Sequence, residues 1–154
     1  MVLAATWGGC NAASVGQGAP EFELPGASAA VKLSELRGKV VYVDFWASWC
    51  APCKQSFPWL NEMHARYRGL GLEIVGVNVD AKRSDADQFL AQVPARFTLA
   101  FDARGDTAGR YEAKGMPASY LIGRDGTIVA MHVGFRVEDK GRIEGEIRRA
   151  LGVN

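Results

Sequence analysis

Residues 39–45 form a nearly continuous β-branched and aromatic run, and residues 72–79 form a second. Runs of that length without a polar face predict central strands covered on both sides. Residues 97–101 give a shorter third strand. Between the first two runs the spacing changes. Phe57, Leu60, Met63, His64 and Tyr67 recur at intervals of three and four, which places them on one face of a helix over about 51–68. Pro58 lies inside that helix and predicts a kink; Gly69 and Gly71 end it. Residues 84–93 read as a helix with Ser84 as its N-cap ahead of Asp87, and residues 105–113 as a short one. Residues 118–122 and 127–133 flank Arg124-Asp125-Gly126, a hairpin turn signal. The last helix covers about 137–151, with Val137, Ile143, Ile147 and Leu151 as its apolar stripe.

Ahead of this alternating region, Glu21-Phe22-Glu23-Leu24 alternates polar and apolar residues, as a half-buried strand does. Pro25-Gly26 breaks it, and residues 30–33 supply a hairpin partner. Residues 34–38 read as a single helical turn closed by Gly38. Order is expected to begin near Pro20. The order is then an N-terminal hairpin, three βα units, a β-hairpin and a closing helix. Alternation implies parallel pairing with helices on both faces, and the terminal hairpin implies an antiparallel edge. The fold class is α/β, with a mixed central sheet.

With 154 residues, the chain is long enough for one domain with a sizeable core. A net charge of +1 gives no support for nucleic-acid binding. No apolar stretch approaches the roughly 20 residues that span a bilayer. Residues 1–18 carry no charge and are rich in Gly and Ala. They lack the basic start and long apolar core of a complete signal peptide. They are read as a flexible leader, with the folded domain covering 19–154. The leader is either the tail of a trimmed export signal, with Cys10 as a lipid-attachment cysteine, or a segment whose Cys10 does nothing. Lipidation patterns place Leu three residues before the cysteine, and Trp7 stands there.

The three cysteines are Cys10, Cys50 and Cys53, too few for a disulfide scaffold. Cys50 and Cys53 follow the first core strand and open the first long helix. A cysteine at a helix N-terminus faces unpaired backbone N–H groups and the positive end of the macrodipole. Both favour the thiolate, the attacking species in disulfide exchange. Two intervening residues let the second thiol reach the first, and Pro52 fits the first turn, where a missing N–H costs nothing. As a purely structural staple the pair would do little, because so short a loop removes little chain entropy. Zinc is disfavoured: one CxxC supplies two ligands where structural zinc takes four. His64 reads as a half-buried packing residue and His132 as an ordinary strand residue. No metal and no cofactor are expected.

Residues 43–54, Val-Asp-Phe-Trp-Ala-Ser-Trp-Cys-Ala-Pro-Cys-Lys, resemble the active-site segment of thioredoxins. Pro58 matches their helix-kinking proline, Gly115-Met116-Pro117-Ala118-Ser119 resembles their cis-proline loop, and Gly134 stands where they carry a glycine near the site. The motifs stand in the family's order across nearly all of the chain from Lys39 onward. Residues 18–24, Gly-Ala-Pro-Glu-Phe-Glu-Leu, and the longer stretch 81–113 resemble the TlpA/ResA/DsbE group. The resemblance implies a thioredoxin-like three-layer α/β/α sandwich with an N-terminal β-hairpin and a central strand–helix insert. Some members of the group carry an acidic residue between the cysteines; here Ala51 and Pro52 stand there.

The family also implies a thiol-disulfide oxidoreductase. Cys50 is expected as nucleophile and Cys53 as the resolving thiol. Asp44, six residues before Cys50 in a buried strand, is expected to have a raised pKa and to exchange a proton with Cys53. Trp49 shields the site, and Trp49, Met116 and Pro117 receive the partner. Lys54 either adds positive potential or is a solvated helix lysine. Members are exported, often membrane-tethered, and many act as reductants, including in cytochrome c maturation. The implied partners are thiols and disulfides of exported proteins and an upstream membrane electron donor. The implied setting is periplasmic or otherwise extracytoplasmic, and the protein is expected as a monomer touching the membrane only through an N-terminal anchor. A peroxidase of the peroxiredoxin type would need Pro and Thr or Ser before its reactive cysteine, where Val43 and Ala47 stand. A thioredoxin-fold copper chaperone usually needs CxxxC, and a non-catalytic binding module would not need the intact CxxC.

Overall fold

The computed structural model describes residues 13–154. A two-stranded antiparallel hairpin, β1 (Glu23–Leu24) and β2 (Val31–Lys32), precedes the main sheet. The elements that follow are β3 (Val40–Trp46), α1 (Ala51–Tyr67), β4 (Leu72–Asn78), α2 (Arg83–Gln92), β5 (Thr98–Phe101), α3 (Asp106–Arg110), β6 (Ala118–Ile122), β7 (Ile128–Val133) and α4 (Lys140–Leu151). The main sheet has the order β5-β4-β3-β6-β7. β3, β4 and β5 run parallel, while β6 is antiparallel to both β3 and β7. This is the mixed sheet expected from alternation followed by a hairpin.

Every residue of β3 is buried, because layers cover both faces of the strand. Tyr42 and Trp46 pack towards α1, α2 and α4, against Phe57, Leu60, Phe89 and Ile147. Val41, Val43 and Phe45 pack on the other side with Tyr111 at the end of α3 and with Phe22 and Leu33 from the hairpin region. The result is a three-layer α/β/α sandwich of the thioredoxin type. Gly76 in β4 is required by this packing. A Cβ there would come within 2.8 Å of the Phe97 ring and 3.2 Å of Trp46 Nε1.

Four details differ from the sequence reading. Residues 83–92 form α2 with Lys82, not Ser84, at the N-cap, so Ser84 lies inside the first turn. Residues 137–139 form a separate 3-10 turn ahead of α4. That turn leaves Val137 59% exposed, while Ile143, Ile147 and Leu151 are buried as the stripe predicts. α3 is shorter than 105–113 because the chain leaves the helix at Tyr111. Packing also begins before Pro20. The Gly16 N–H donates to Ile128 O and the Ile128 N–H to Gln17 O, both at 2.9 Å. Ala13 and Ala19 are buried against the hairpin side of the sheet. The boundary at 18/19 thus falls within a packed segment: backbone pairing to the start of β7 holds residues that carry no hydrophobic periodicity. The leader reading for 1–12, including Cys10, lies outside the described residues.

Candidate active site

β3 and β4 both end at the same pole of the sheet, and β6, being antiparallel, begins there. Trp46 pairs with Asn78, Phe45 with Ala118, and Ala118 with Val133. Chain topology therefore gathers at one end the loop before α1, the loop 115–117 and Gly134 after β7. Open α/β sheets bind their ligands at this end of the parallel strands.

Cys50 is the N-cap of α1, with extended backbone angles (φ −93°, ψ 102°). Its Sγ accepts a hydrogen bond from the Cys53 N–H at 3.3 Å, using one of the orphan donors of the first turn. Ala51 and Pro52 occupy the first helical positions. Cys50 and Cys53 are joined by a disulfide, with Cα atoms 5.3 Å apart. Cys53 is fully buried and Cys50 nearly so, whereas Trp49 beside them is 70% exposed.

Asp44 sits in β3 on the face that carries Tyr42 and Trp46. It is 2% exposed, and its Oδ2 has no hydrogen-bond partner among the described residues. Burial without a partner penalises the carboxylate and pushes its pKa up to about 8. The same burial, together with the nearby Asp44 charge, raises the Tyr42 phenol.

The Met116–Pro117 peptide is cis, as the thioredoxin resemblance implies. Pro117 is buried, and Met116 packs between the two cores. The Gly134 N–H donates to Pro117 O at 2.8 Å, and Gly134 has φ +78°, a conformation that suits glycine. Lys54 is exposed and lines, with Ser48, Asp85, Gln88, Phe89 and Gln92, a groove of about 260 Å³ at the start of α1. A larger hollow of about 480 Å³ lies along the second half of α1, at Asn61, His64, Arg68 and Arg96. No cluster of metal-ligating side chains occurs among the described residues.

Two arrangements were not anticipated from sequence. Asp80, just after β4, holds the loop that presents Cys50. Its carboxylate accepts the Ser48 N–H at 2.9 Å and the Ser48 hydroxyl at 2.8 Å. Asn78 in turn holds Asp80, donating from Nδ2 at 2.7 Å and accepting the Asp80 N–H at 3.0 Å. The signal was present: two short polar residues at the end of an apolar strand, where a solvated loop would not need them. The second concerns His132, which is not an ordinary strand residue. Its side chain is 7% exposed and pairs with Glu146 of α4 at 2.6 Å. Its partner strand places it beside Ser119. No periodicity reveals such a pairing, which depends on register across three strands.

The AhpC/TSA family profile matches residues 15–131. The thiol-disulfide oxidoreductase ResA of Oceanobacillus iheyensis is 36% identical over 136 residues, covering 85% of this chain and 70% of that protein. ResA of Bacillus cereus is 31% identical over 138 residues, covering 88% and 78%. A crystal structure from Chlorobium tepidum, named as a thiol:disulfide interchange protein DsbE, superposes with a TM-score of 0.90 at 55% identity. It covers 92% of this chain and all of that one. The chain belongs to the AhpC/TSA family, and within its thioredoxin-like members it is a thiol-disulfide oxidoreductase of the ResA/DsbE type.

Proposed function

We propose that Cys50 is the attacking thiol, Cys53 the resolving thiol and Asp44 the group that exchanges a proton with Cys53. The observation that carries this assignment is Cys50 at the N-cap of α1 bonded to a fully buried Cys53. The Cys50 thiolate attacks one sulfur of a partner disulfide. A mixed disulfide forms, and the other partner sulfur leaves as a thiolate and takes a proton from water. Cys53 then gives its proton to the Asp44 carboxylate and attacks Cys50 Sγ. The Cys50–Cys53 disulfide closes, and the second partner thiolate leaves and is protonated. Two electrons have passed from the dithiol to the partner. A carboxyl that titrates near pH 8 can accept or return a proton close to neutrality.

Pro52 pre-sets the first turn of α1 without removing a needed donor. Trp49, exposed and next to Cys50 in the chain, and the cis loop of Met116 and Pro117 at the same pole of the sheet are the surfaces proposed to receive an extended segment of the partner. The proposed partners are disulfides of exported proteins, apocytochrome c among them, with a membrane electron donor restoring the dithiol. The reading is extracytoplasmic and monomeric, with no cofactor. Among the described residues no helix is long and apolar enough to cross a membrane.

Cys53→Ser is the direct test of the thiol assignment. The variant should accumulate a mixed disulfide at Cys50 with a reducible partner and stop there. Accumulation at Cys53 in the matching Cys50→Ser variant instead would reverse the roles. Direction is tested by the midpoint potential against glutathione. A value well below the glutathione poise supports a reductant, with about 30 mV corresponding to a tenfold change in equilibrium; a value near the strongest oxidants overturns it.

A further inference from the structure

A row of three polar residues crosses the sheet on the face whose core includes Cys50 and Cys53. Asp44 of β3 is the register partner of Ser119 in β6, and Ser119 is the partner of His132 in β7. Directly opposed residues leave the same face with Cβ atoms roughly 5 Å apart, so Ser119 stands between the carboxyl and the imidazole. The Tyr42 hydroxyl donates to Ser119 Oγ at 2.8 Å. His132 Nδ1 lies 3.3 Å from Ser119 Oγ, and its Nε2 lies 2.6 Å from Glu146 Oε2. Arg142, one turn earlier on α4, reaches Glu146 Oε1 at 3.1 Å. The groups facing His132 are therefore Asp44 and Tyr42 from β3, Ser119 from β6, and Glu146 with Arg142 from α4.

Counting hydrogens in this row gives a result with two states. A serine hydroxyl has one hydrogen and two lone pairs. Tyr42 fills one lone pair. When the imidazole is neutral, Nε2–H serves the Glu146 carboxylate and Nδ1 accepts the Ser119 hydrogen. When the imidazole is charged, both ring nitrogens donate. Nδ1–H then fills the second lone pair of Ser119 Oγ, and with Tyr42 donating the serine hydrogen has no acceptor left among these groups. On the serine's other side stands its register partner Asp44, whose buried Oδ2 has no partner among the described residues, Ser119 included; a small side-chain shift brings the two together.

We propose that Ser119 is a positioning residue for the exchange at Cys53, its hydroxyl hydrogen directed to His132 or to Asp44 according to the protonation of His132. The proposal rests on the reading of Asp44 as proton partner of Cys53. One proton enters the imidazole from the Glu146 side, which borders solvent; nothing is oxidised or reduced. In the charged state Asp44 gains a donor, and a hydrogen bond to a carboxylate favours the ionised form. That is the form able to take the proton of Cys53. Burial, which raises the Asp44 pKa, is thereby opposed by a donor that His132 controls.

The test is a carbon-13 carboxyl titration of Asp44 in the full chain with the Cys50–Cys53 disulfide closed, so that neither active-site thiol titrates. His132→Leu removes the acceptor that competes for the Ser119 hydrogen. It should lower the Asp44 midpoint by about one pH unit, roughly what one hydrogen bond to a charged group supplies. The same substitution in a Ser119→Ala background should not lower it. Loss of a positive imidazolium alone would raise the midpoint or leave it unchanged, so the sign separates the two accounts. An unshifted or raised midpoint in His132→Leu overturns the proposal, and so does a lowering that survives without Ser119. His132→Phe keeps a ring against Tyr42 and gives the same comparison should the leucine variant fail to fold. In the reduced enzyme the pH profile of partner reduction should move down by the same amount in His132→Leu. The rate of Asp44→Asn judges the separate assignment: unchanged turnover across pH 6–9 removes Asp44 as proton partner while leaving the titration result intact.

Discussion

Val41, Val43 and Phe45 leave β3 on one side of the sheet; Tyr42, Asp44 and Trp46 leave it on the other. The first side is closed and satisfied. Its aromatic rings pack at short range, Phe45 against Tyr111 at 5.3 Å and Tyr111 against Tyr120 at 5.0 Å. Its two tyrosine hydroxyls end on backbone carbonyls, Tyr111 on Pro20 O and Tyr120 on Tyr111 O, both at 2.7 Å. The second side also packs aromatic rings, Trp46 against Phe57 and Phe89 at 4.9 Å each. Yet it leaves Asp44 Oδ2 and Trp46 Nε1 without partners among the described residues. Unsatisfied buried polar atoms cost stability. One strand thus carries a face that secures the fold and a face that gives up stability to keep a carboxyl buried.

The contrast can be broken at Asp44 first. The unfolded chain releases this proton near pH 4, whereas the folded protein holds it to about pH 8. Ionisation therefore favours the unfolded state progressively between those values, and the penalty is constant above pH 8. Asp44→Asn removes it. The variant's stability relative to the parent should rise from about pH 4 to pH 8, by as much as about 5 kcal/mol, and then level off. Denaturant unfolding at several pH values checks the slope; a gap that does not change with pH would refute the buried carboxyl.

Val43→Ala, on the closed face, should cost about 2–3 kcal/mol through the cavity it leaves. The cost should be the same at pH 5 and pH 9, because the tyrosines on that side, Tyr111 and Tyr120, have phenols that burial raises above their ordinary value and stay neutral at both. Asp80→Ala should cost about 1–3 kcal/mol by leaving the Ser48 groups unpaired. It should also slow partner reduction, since Ser48 lies two residues before Cys50. Melting curves and rates measured together separate those two effects. Trp49→Ala, at an exposed position, should change stability by less than about 0.5 kcal/mol while weakening reaction with protein disulfides more than with a small disulfide.

Both faces of β3 are buried, and that much is plain from the unbroken apolar run. The position of the reactive pair is equally plain, because a strand–CxxC–helix sequence is local. What is not legible is everything that depends on neighbours distant in the chain. Ser119 reads as one polar residue in a strand until register sets it between Asp44 and His132. Asp80 reads as a loop residue until the ends of β3 and β4 are side by side. Residues 13–19 carry neither period two nor period 3.6, so their packing onto β7 rests on backbone groups that no side-chain pattern reports. Val137 was misplaced for the opposite reason: the helical period continues through it, but the backbone tightens into a 3-10 turn there.

That N-terminal segment fixes a direction. Gly16 and Gln17 bond to Ile128, at the start of β7, while the disulfide lies at the pole where β7 ends at Val133. The separation along the strand is five residue steps, about 17 Å. A force or tether applied to the chain ahead of Ala13 would act on the far pole from the chemistry. Held there, the domain would turn its reactive end outward, and pulling would load the pairing at Ile128 before it reached the sulfurs.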